Sequence, residues 1–199
     1  MKFFGAIAAV CLCVSALFGS EVTVSQEFAD ALAAIDGGQK KKALDLLAKA
    51  CKAGDKLSCA AERYAKADAA AEINEAGIYQ YACDQGVMVG CYNLAVLHEP
   101  SKPLENKERA MSLFTLACEN ELSLACVSLG YLYPENSAKA EAMFLLSCEK
   151  EDPLGCLELA NLYNRKKKDA DALEAYQKAC ELGSVNACVV LQESGIEEE

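Results

Sequence analysis

The residues most able to do chemistry in this chain of 199 residues are its twelve cysteines. Ten of them form five pairs, and the two members of every pair lie eight positions apart. The pairs are Cys51 and Cys59, Cys83 and Cys91, Cys118 and Cys126, Cys148 and Cys156, and Cys180 and Cys188. Paired thiols serve as disulfides, as zinc ligands or as redox catalysts, and their spacing favours one use over the others.

The spacing favours structural disulfides. Zinc ligands are commonly separated by about two to four residues and often include histidine, whereas these pairs are wider and His98 is the only histidine. Redox catalysis typically uses Cys-x-x-Cys, which none of the five pairs forms. We therefore predict five disulfides, with no catalytic residue, no metal and no cofactor.

A disulfide at this spacing requires a reversal of the chain. On one continuous helix, two residues eight positions apart would lie about 12 Å from each other. That exceeds the roughly 4.4 to 6.8 Å between Cα atoms that a disulfide tolerates. The chain must therefore fold back between the two cysteines of each pair.

The five pairs recur at intervals of 32, 35, 30 and 32 residues, which is typical of stacked supersecondary repeats. We number these repeats 1 to 5. A small residue precedes each first cysteine: Ala50, Ala82, Ala117, Ser147 and Ala179. A large residue lies four positions before it: Leu47, Tyr79, Phe114, Phe144 and Tyr176. In four repeats a leucine follows the second cysteine by three positions: Leu94, Leu129, Leu159 and Leu191. These offsets keep side chains on one helical face, so each repeat is predicted to be helix, tight turn, helix, in an all-α solenoid.

The charge of the chain limits its partners. Asp and Glu number 30 against 19 Lys and Arg, a formal net charge of −11. This balance argues against binding to nucleic acid or to anionic lipid. The basic run from Lys40 to Lys42 is predicted to open a helix, the run from Arg165 to Lys168 to fill a connection between repeats, and both to be solvated surface. The acidic tail from Glu197 to Glu199 is predicted to be frayed.

The amino terminus predicts export. Residues 1–20 have the layout of a secretory signal peptide, with Lys2, an apolar run from 3 to 18 and then small residues. Its removal takes away Cys11 and Cys13 and leaves no membrane anchor. We expect the mature protein in the periplasm or outside the cell.

The segment AYQKACELGSVNACVVL (175–191) shows the repeated pattern of an aromatic residue, Ala-Cys, a second cysteine and Leu. It resembles the Sel1-like repeat. With the signal peptide, the five Cys-x7-Cys pairs resemble the secreted cysteine-rich Sel1-like family described from Helicobacter and its relatives. The resemblance covers roughly residues 25–195, within a single mature domain of 21–199. It implies a right-handed superhelix of disulfide-linked helix pairs, similar to tetratricopeptide arrays, with a concave face.

The resemblance implies two alternative functions. The leading interpretation is a monomeric module that binds a protein or peptide on its concave face. The alternative is weak β-lactamase or penicillin-binding activity, because the family carries that label. The sequence contains one Ser-x-x-Lys motif, Ser147 with Lys150, without a Lys-Thr-Gly or Ser-Asp-Asn-like companion. Since Ser147 also occupies the small-residue position, we interpret it as a packing residue.

Several polar and aromatic residues on or near the second helices are candidate ligand contacts. They are Tyr64, Tyr92, Asn93, Tyr131, Asn161 and Asn164. For the tyrosines, packing between repeats with the hydroxyl at the rim is the favoured alternative. The sequence therefore assigns no ligand-binding residue.

Overall fold

The computed structural model describes residues 24–66 and 74–193. The predicted signal peptide and the acidic tail lie outside this part of the chain. Within it, the structure has eleven α-helices and no strand, which confirms the all-α class. The helices are α1 (Gln26–Asp36), α2 (Lys40–Lys52), α3 (Lys56–Lys66), α4 (Glu75–Asp84), α5 (Met88–Leu97), α6 (Lys107–Glu119), α7 (Ser123–Leu132), α8 (Ala138–Glu149), α9 (Pro153–Arg165), α10 (Asp169–Glu181) and α11 (Val185–Glu193).

The predicted repeats are five consecutive helix pairs, from α2 with α3 to α10 with α11. Every helix packs against the next one along the chain, so the second helix of one repeat also contacts the first helix of the following repeat. Helices α7 and α9, which are both second helices, touch as well. This continuous stacking is the arrangement of a solenoid.

Each helix pair is closed by one disulfide, as predicted for the fold. The bridges join the two cysteines of each pair, with Cα–Cα distances from 4.4 to 4.8 Å. Each bridge links the last turn of the first helix to the first turn of the second helix. The crosslink therefore fixes the hairpin close to its turn.

The turn inside each repeat depends on one left-handed residue. In every repeat the residue three positions after the first cysteine has a φ between 60° and 98°. These residues are Gly54, Gly86, Glu121, Glu151 and Gly183. The following N–H then bonds back across the helix end, as from Asp55 to the Ala50 carbonyl at 3.0 Å, which satisfies a terminal carbonyl group.

The two helices of a repeat cross through their smallest residues. The residue before the second cysteine is Ser58, Gly90, Ala125, Gly155 or Ala187, and all five are buried. This row faces the small residues that precede the first cysteines. A methyl group on Gly90 would lie 2.5 Å from the Ala82 Cβ, and one on Gly155 would lie 2.4 Å from the Ser147 Cβ. The large residues four positions before the first cysteines fill the core beside this crossing, and none is more than 7% exposed.

Helix α1 adds a half repeat that the cysteine pattern does not predict. It packs on α2 as the second helix of a repeat packs on the first helix of the next one. Ser25, its N-cap, donates a hydrogen bond to Asp55, and Ser123 at the start of α7 donates to Asp152 in the same way at 2.6 Å. Phe28 and Leu32 bury the inner face of α1, so this helix covers the N-terminal side of repeat 1.

Candidate binding site

Two of the candidate contact residues, Asn161 and Asn93, are hydrogen-bond partners of tyrosines in the core. The Tyr176 hydroxyl donates a hydrogen bond to the Asn161 Oδ1 at 2.8 Å. Asn93 is only 9% exposed and hydrogen-bonds the hydroxyl of Tyr79, whose pKa is raised by burial and by the charges of nearby carboxylates. Both tyrosines are large core residues whose hydroxyls need partners when buried. The two asparagines supply those partners.

Tyr92 packs between repeats, in agreement with the alternative interpretation of the tyrosines. Its ring lies 5.4 Å from that of Phe114 in repeat 3, tilted by 58°. Its hydroxyl accepts a hydrogen bond from Ser128 Oγ at 3.4 Å. Asn164 is exposed near the end of α9, and the side chain of Tyr64 lies outside the described part of the structure.

Tyr131, near the C-terminal end of α7, has a different environment. Its side chain is 57% exposed although it belongs to a large aromatic residue. The ring stands edge-on to Phe144, with centroids 5.5 Å apart. It borders a cavity of about 310 Å³ between repeats 3 and 4, lined by Gly130, Tyr131, Tyr133, Glu135, Asn136, Ala140, Phe144, Glu158, Leu162 and Arg165. Cavities of this size hold small ligands or single side chains.

A glycine allows an aromatic ring to form the apolar floor of the cavity. A methyl group on Gly130 would lie 2.5 Å from the Phe144 ring, so only glycine admits the ring at this point. The equivalent position, four residues after the second cysteine, is Ala95 in repeat 2 and Ala160 in repeat 4. Gly130 next to Tyr131 is therefore a signal in the sequence, although the cysteine alignment alone does not reveal a cavity.

The rim of the cavity carries three charged groups. Arg165 Nε lies 3.1 Å from Glu135 Oε1 and donates to Asn136 Oδ1 at 3.4 Å. The carboxylate of Glu158 hydrogen-bonds the Tyr131 hydroxyl, and no lysine or arginine in residues 24–66 and 74–193 forms an ion pair with it. Burial, the Glu158 hydrogen bond and its charge raise the pKa of Tyr131, against the opposing charge of Arg165. The hydroxyl thus stays protonated and donates to Glu158.

The basic run from Arg165 to Lys168 is exposed as predicted except at Lys166. Lys166 Nζ lies 2.6 Å from Glu141 Oε2, and its side chain is only 23% exposed. Lys168 lies 3.6 Å from the other oxygen of Glu141 and 4.9 Å above the Tyr163 ring. The prediction was wrong for Lys166, because the short connection after α9 passes over the start of α8, whereas Lys168 keeps 45% of its side chain exposed and agrees with the prediction. The hydrogen bond from Lys166 lowers the pKa of Glu141 and outweighs its burial.

The other basic run agrees better with its prediction. Lys40 begins α2, as expected, and lies 3.3 Å from Glu75 with 44% of its side chain exposed. Lys41 and Lys42 are exposed.

The Ser-x-x-Lys motif does not form a catalytic pair. Ser147 is fully buried at the helix crossing, and its Oγ donates to the Ser123 carbonyl at 3.2 Å. Lys150 Nζ lies 2.7 Å from Glu121 Oε2 on the surface. A serine nucleophile needs an adjacent base and access to its substrate, and Ser147 has neither in this geometry.

His98 has a structural role in the connection between α5 and α6. Its Nδ1 lies 2.6 Å from the Leu104 carbonyl and therefore donates to it. Its Nε2 then accepts from Arg109 Nε at 3.1 Å. In the part of the chain that the structure describes, no group of three His, Cys, Asp or Glu residues is arranged to hold a metal ion, and no helix is both long and apolar enough for a membrane span.

Comparisons with known proteins identify the fold. No family model and no curated protein sequence matches this chain. The structure of a protective antigen of uropathogenic Escherichia coli strains, which displays an SLR fold, matches with a TM-score of 0.55 and 24% identity over 73% of this chain. The aligned region is 35% of that antigen, so the chain spans about a third of its length.

Two further structures are similar. The Sel1 repeat protein from Oxalobacter formigenes matches with a TM-score of 0.59 and 16% identity, over 84% of this chain and 74% of that one. Cysteine-rich protein B of Helicobacter pylori matches with a TM-score of 0.46 and 29% identity, over 57% of this chain and 89% of that one. The stacked helix pairs, together with the matches to the Escherichia coli antigen and to the Oxalobacter formigenes protein, show that the chain has the Sel1-like repeat fold.

Proposed function

We propose that this protein is an exported Sel1-like repeat module that binds a protein or peptide partner. The observation that carries the proposal is the cavity between repeats 3 and 4, beside the 57% exposed ring of Tyr131. The large residues four positions before the first cysteines are all buried, in contrast to Tyr131. Repeat arrays commonly offer extended surfaces to other chains, and we place the partner along the concave face of the superhelix.

The cysteines support an extracytoplasmic location. Disulfides persist in oxidising spaces such as the periplasm and the cell exterior, and are rare in the cytosol. Residues 24–66 and 74–193 contain five of them, one in each repeat, and residues 1–20 have the layout of a signal peptide. We propose that the mature domain of 21–199 acts as a monomer, with no membrane anchor after signal cleavage.

Binding fits the geometry better than hydrolysis. The serine of the single Ser-x-x-Lys motif is buried under Gly155 and bonded to a backbone carbonyl. The cavity brings the exposed ring of Tyr131 together with Arg165 and Glu158, and tyrosine and arginine are enriched among the residues that dominate binding energy at interfaces.

Site-specific photocrosslinking tests the proposal. A photoreactive phenylalanine is placed at Tyr131 and, as a matched control, at Gln177, which is exposed on the first helix of repeat 5. Both proteins are exposed to envelope extract and culture medium, and the crosslinked products are identified by mass spectrometry. We expect a defined protein at position 131 that is absent at 177.

The same preparations also test the enzymatic alternative. We expect no turnover of a chromogenic cephalosporin above the buffer rate. Identical crosslinks at both positions would contradict the binding proposal, and turnover that disappears in a Tyr131→Ala variant would favour the enzyme.

A further inference from the structure

The cavity between repeats 3 and 4, of about 310 Å³, has room for one long side chain. Gly130, Phe144 and Leu162 make its floor apolar, and the exposed Tyr131 ring forms a wall at its mouth. Such walls suit the methylene stem of a lysine or arginine, which buries its apolar part and keeps its charged end near water. An aromatic face at the mouth also attracts a cation.

The charges at the rim favour a positive group. Arg165 is already paired with Glu135 and bonded to Asn136. Lys139, the other nearby cation, lies 5.5 Å above the ring of Tyr133. Glu158 has the Tyr131 hydroxyl as its partner and no cation of its own among the described residues. The carboxylate of Glu158 is thus the rim charge that lacks a counter-charge.

The charge of the whole molecule acts in the same direction. A formal net charge of −11 attracts positively charged segments over longer distances and disfavours acidic ones. Local pairing and the overall field therefore select the same sign of ligand.

We propose that this cavity binds a lysine or arginine side chain of a basic protein segment, with the stem against Phe144 and the charged end at Glu158 and Tyr131. The proposal rests on the binding function given above and names the chemistry of its partner. It distinguishes the junction of repeats 3 and 4 from the rest of the array, because the position of Gly130 is taken in the other repeats by Arg63, Ala95, Ala160 and Gln192.

The test uses the ¹⁵N-labelled mature protein with its disulfides intact. Short acetylated and amidated Gly-Ser peptides present lysine, arginine, norleucine or glutamate at their centre, and amide chemical shifts are followed during titration. We expect the lysine and arginine peptides to shift the amides of Gly130, Tyr131 and Glu158. The norleucine peptide should bind more weakly than the lysine peptide, by a factor of up to about five, because it lacks the ion pair.

Two variants separate the ion pair from general charge. Glu158→Gln keeps the shape of the side chain and should reduce the preference for lysine over norleucine to about one. Glu149→Gln removes the same charge from an exposed position on α8 and should keep the preference. Raising the NaCl concentration from about 20 mM to about 500 mM should weaken binding of the lysine peptide more than binding of the norleucine peptide. This comparison tests the ion pair without any variant.

The outcomes distinguish the ligand chemistry from the proposed function. Equal binding of norleucine and lysine, tighter binding of the glutamate peptide through Arg165, or equal effects of both variants would each overturn the inference. If a partner still crosslinks at position 131 in that case, the binding function stands and only the ligand chemistry is wrong. If no partner crosslinks and no peptide binds, both proposals fail.

Discussion

Single residues in this fold are selected by the distance between two helices. Where Gly155 meets Ser147, there is no room for another methyl group. The small residues before the cysteines are therefore needed for packing, and their chemical groups matter less than their volume. For the same reason, a serine can replace alanine before Cys148 without creating a reactive site.

We expect Gly155→Ala to lower the free energy of unfolding by about 1 to 3 kcal/mol, because the new methyl group overpacks the helix crossing. Urea denaturation followed by circular dichroism measures this change. Ser147→Ala is the matched control and should cost less than about 1.5 kcal/mol, since it loses one hydrogen bond to a carbonyl. A larger loss for Ser147→Ala than for Gly155→Ala would show that volume is not what selects these residues.

The turn of repeat 4 offers an opposite prediction. Glu151 has a φ of 60°, a conformation that costs a side-chain-bearing residue roughly 1 kcal/mol or more. We expect Glu151→Gly to raise the free energy of unfolding by about 1 kcal/mol, and Gly54→Ala to lower it by a similar amount. Thermal unfolding measures both. Unchanged stability in the two variants would show that the left-handed residue does not limit the turn.

At the scale of the helix, α1 is held to repeat 1 through Asp55. Burial raises the pKa of this carboxyl, but hydrogen bonds from Ser25, from Ser58 and from the Leu57 backbone outweigh burial and hold the pKa below its usual value. Because the pKa is lower in the folded state, Asp55 contributes stability above its unfolded pKa. That contribution is lost as the pH falls through the folded pKa.

We therefore expect the amides of α1 to exchange faster with solvent as the pH falls below about 4. Asp55→Asn should weaken this dependence, and Ser25→Ala should cost about 1 kcal/mol at neutral pH, as the loss of an N-cap does. Hydrogen exchange corrected for intrinsic pH effects measures both. Gln26→Ala, which removes an exposed side chain, is the control. The same acid response in Asp55→Asn as in the parent would contradict this role.

For the whole molecule, stability is the sum of repeats and of the contacts between neighbours. The position after the second cysteine shows the end effect. Val127 and Leu157 are buried there in repeats 3 and 4, whereas Val189 in repeat 5 is 43% exposed. In the described part of the chain α11 has no helix after it, so repeat 5 has fewer neighbours than the inner repeats.

Removing a disulfide should have different consequences at the centre and at the end. Each bridge closes a short ring worth roughly 2.5 kcal/mol in the loop-entropy treatment. We expect serine in place of both Cys118 and Cys126 to destabilise the whole array. Replacement of both Cys180 and Cys188 should mainly increase local unfolding, and therefore hydrogen exchange, of α10 and α11.

Hydrogen exchange resolved by helix, read beside denaturant unfolding, distinguishes the two outcomes. The intact protein is the reference, and the two double variants are matched in the number of bridges lost. Equal exchange across all helices in the terminal variant would contradict the nearest-neighbour description.

The sequence by itself determined the repeat, its helix pair and the position of each reversal. These features are local, because eight positions between cysteines and the offsets of four along a helix constrain neighbouring residues only. Helix α1 carries no cysteine and so lies outside the repeated pattern, although Phe28 and Leu32 already have the spacing of a buried helical face.

Only the tertiary structure decided which polar side chains are available to a ligand. Asn161 accepts a hydrogen bond from Tyr176 of the following repeat. Lys166 forms an ion pair with Glu141 of α8. Tyr131 is left exposed beside a cavity that Gly130 and Phe144 shape together. The partners in each case lie on different helices, so their separation depends on how the repeats stack, which a one-dimensional pattern does not contain.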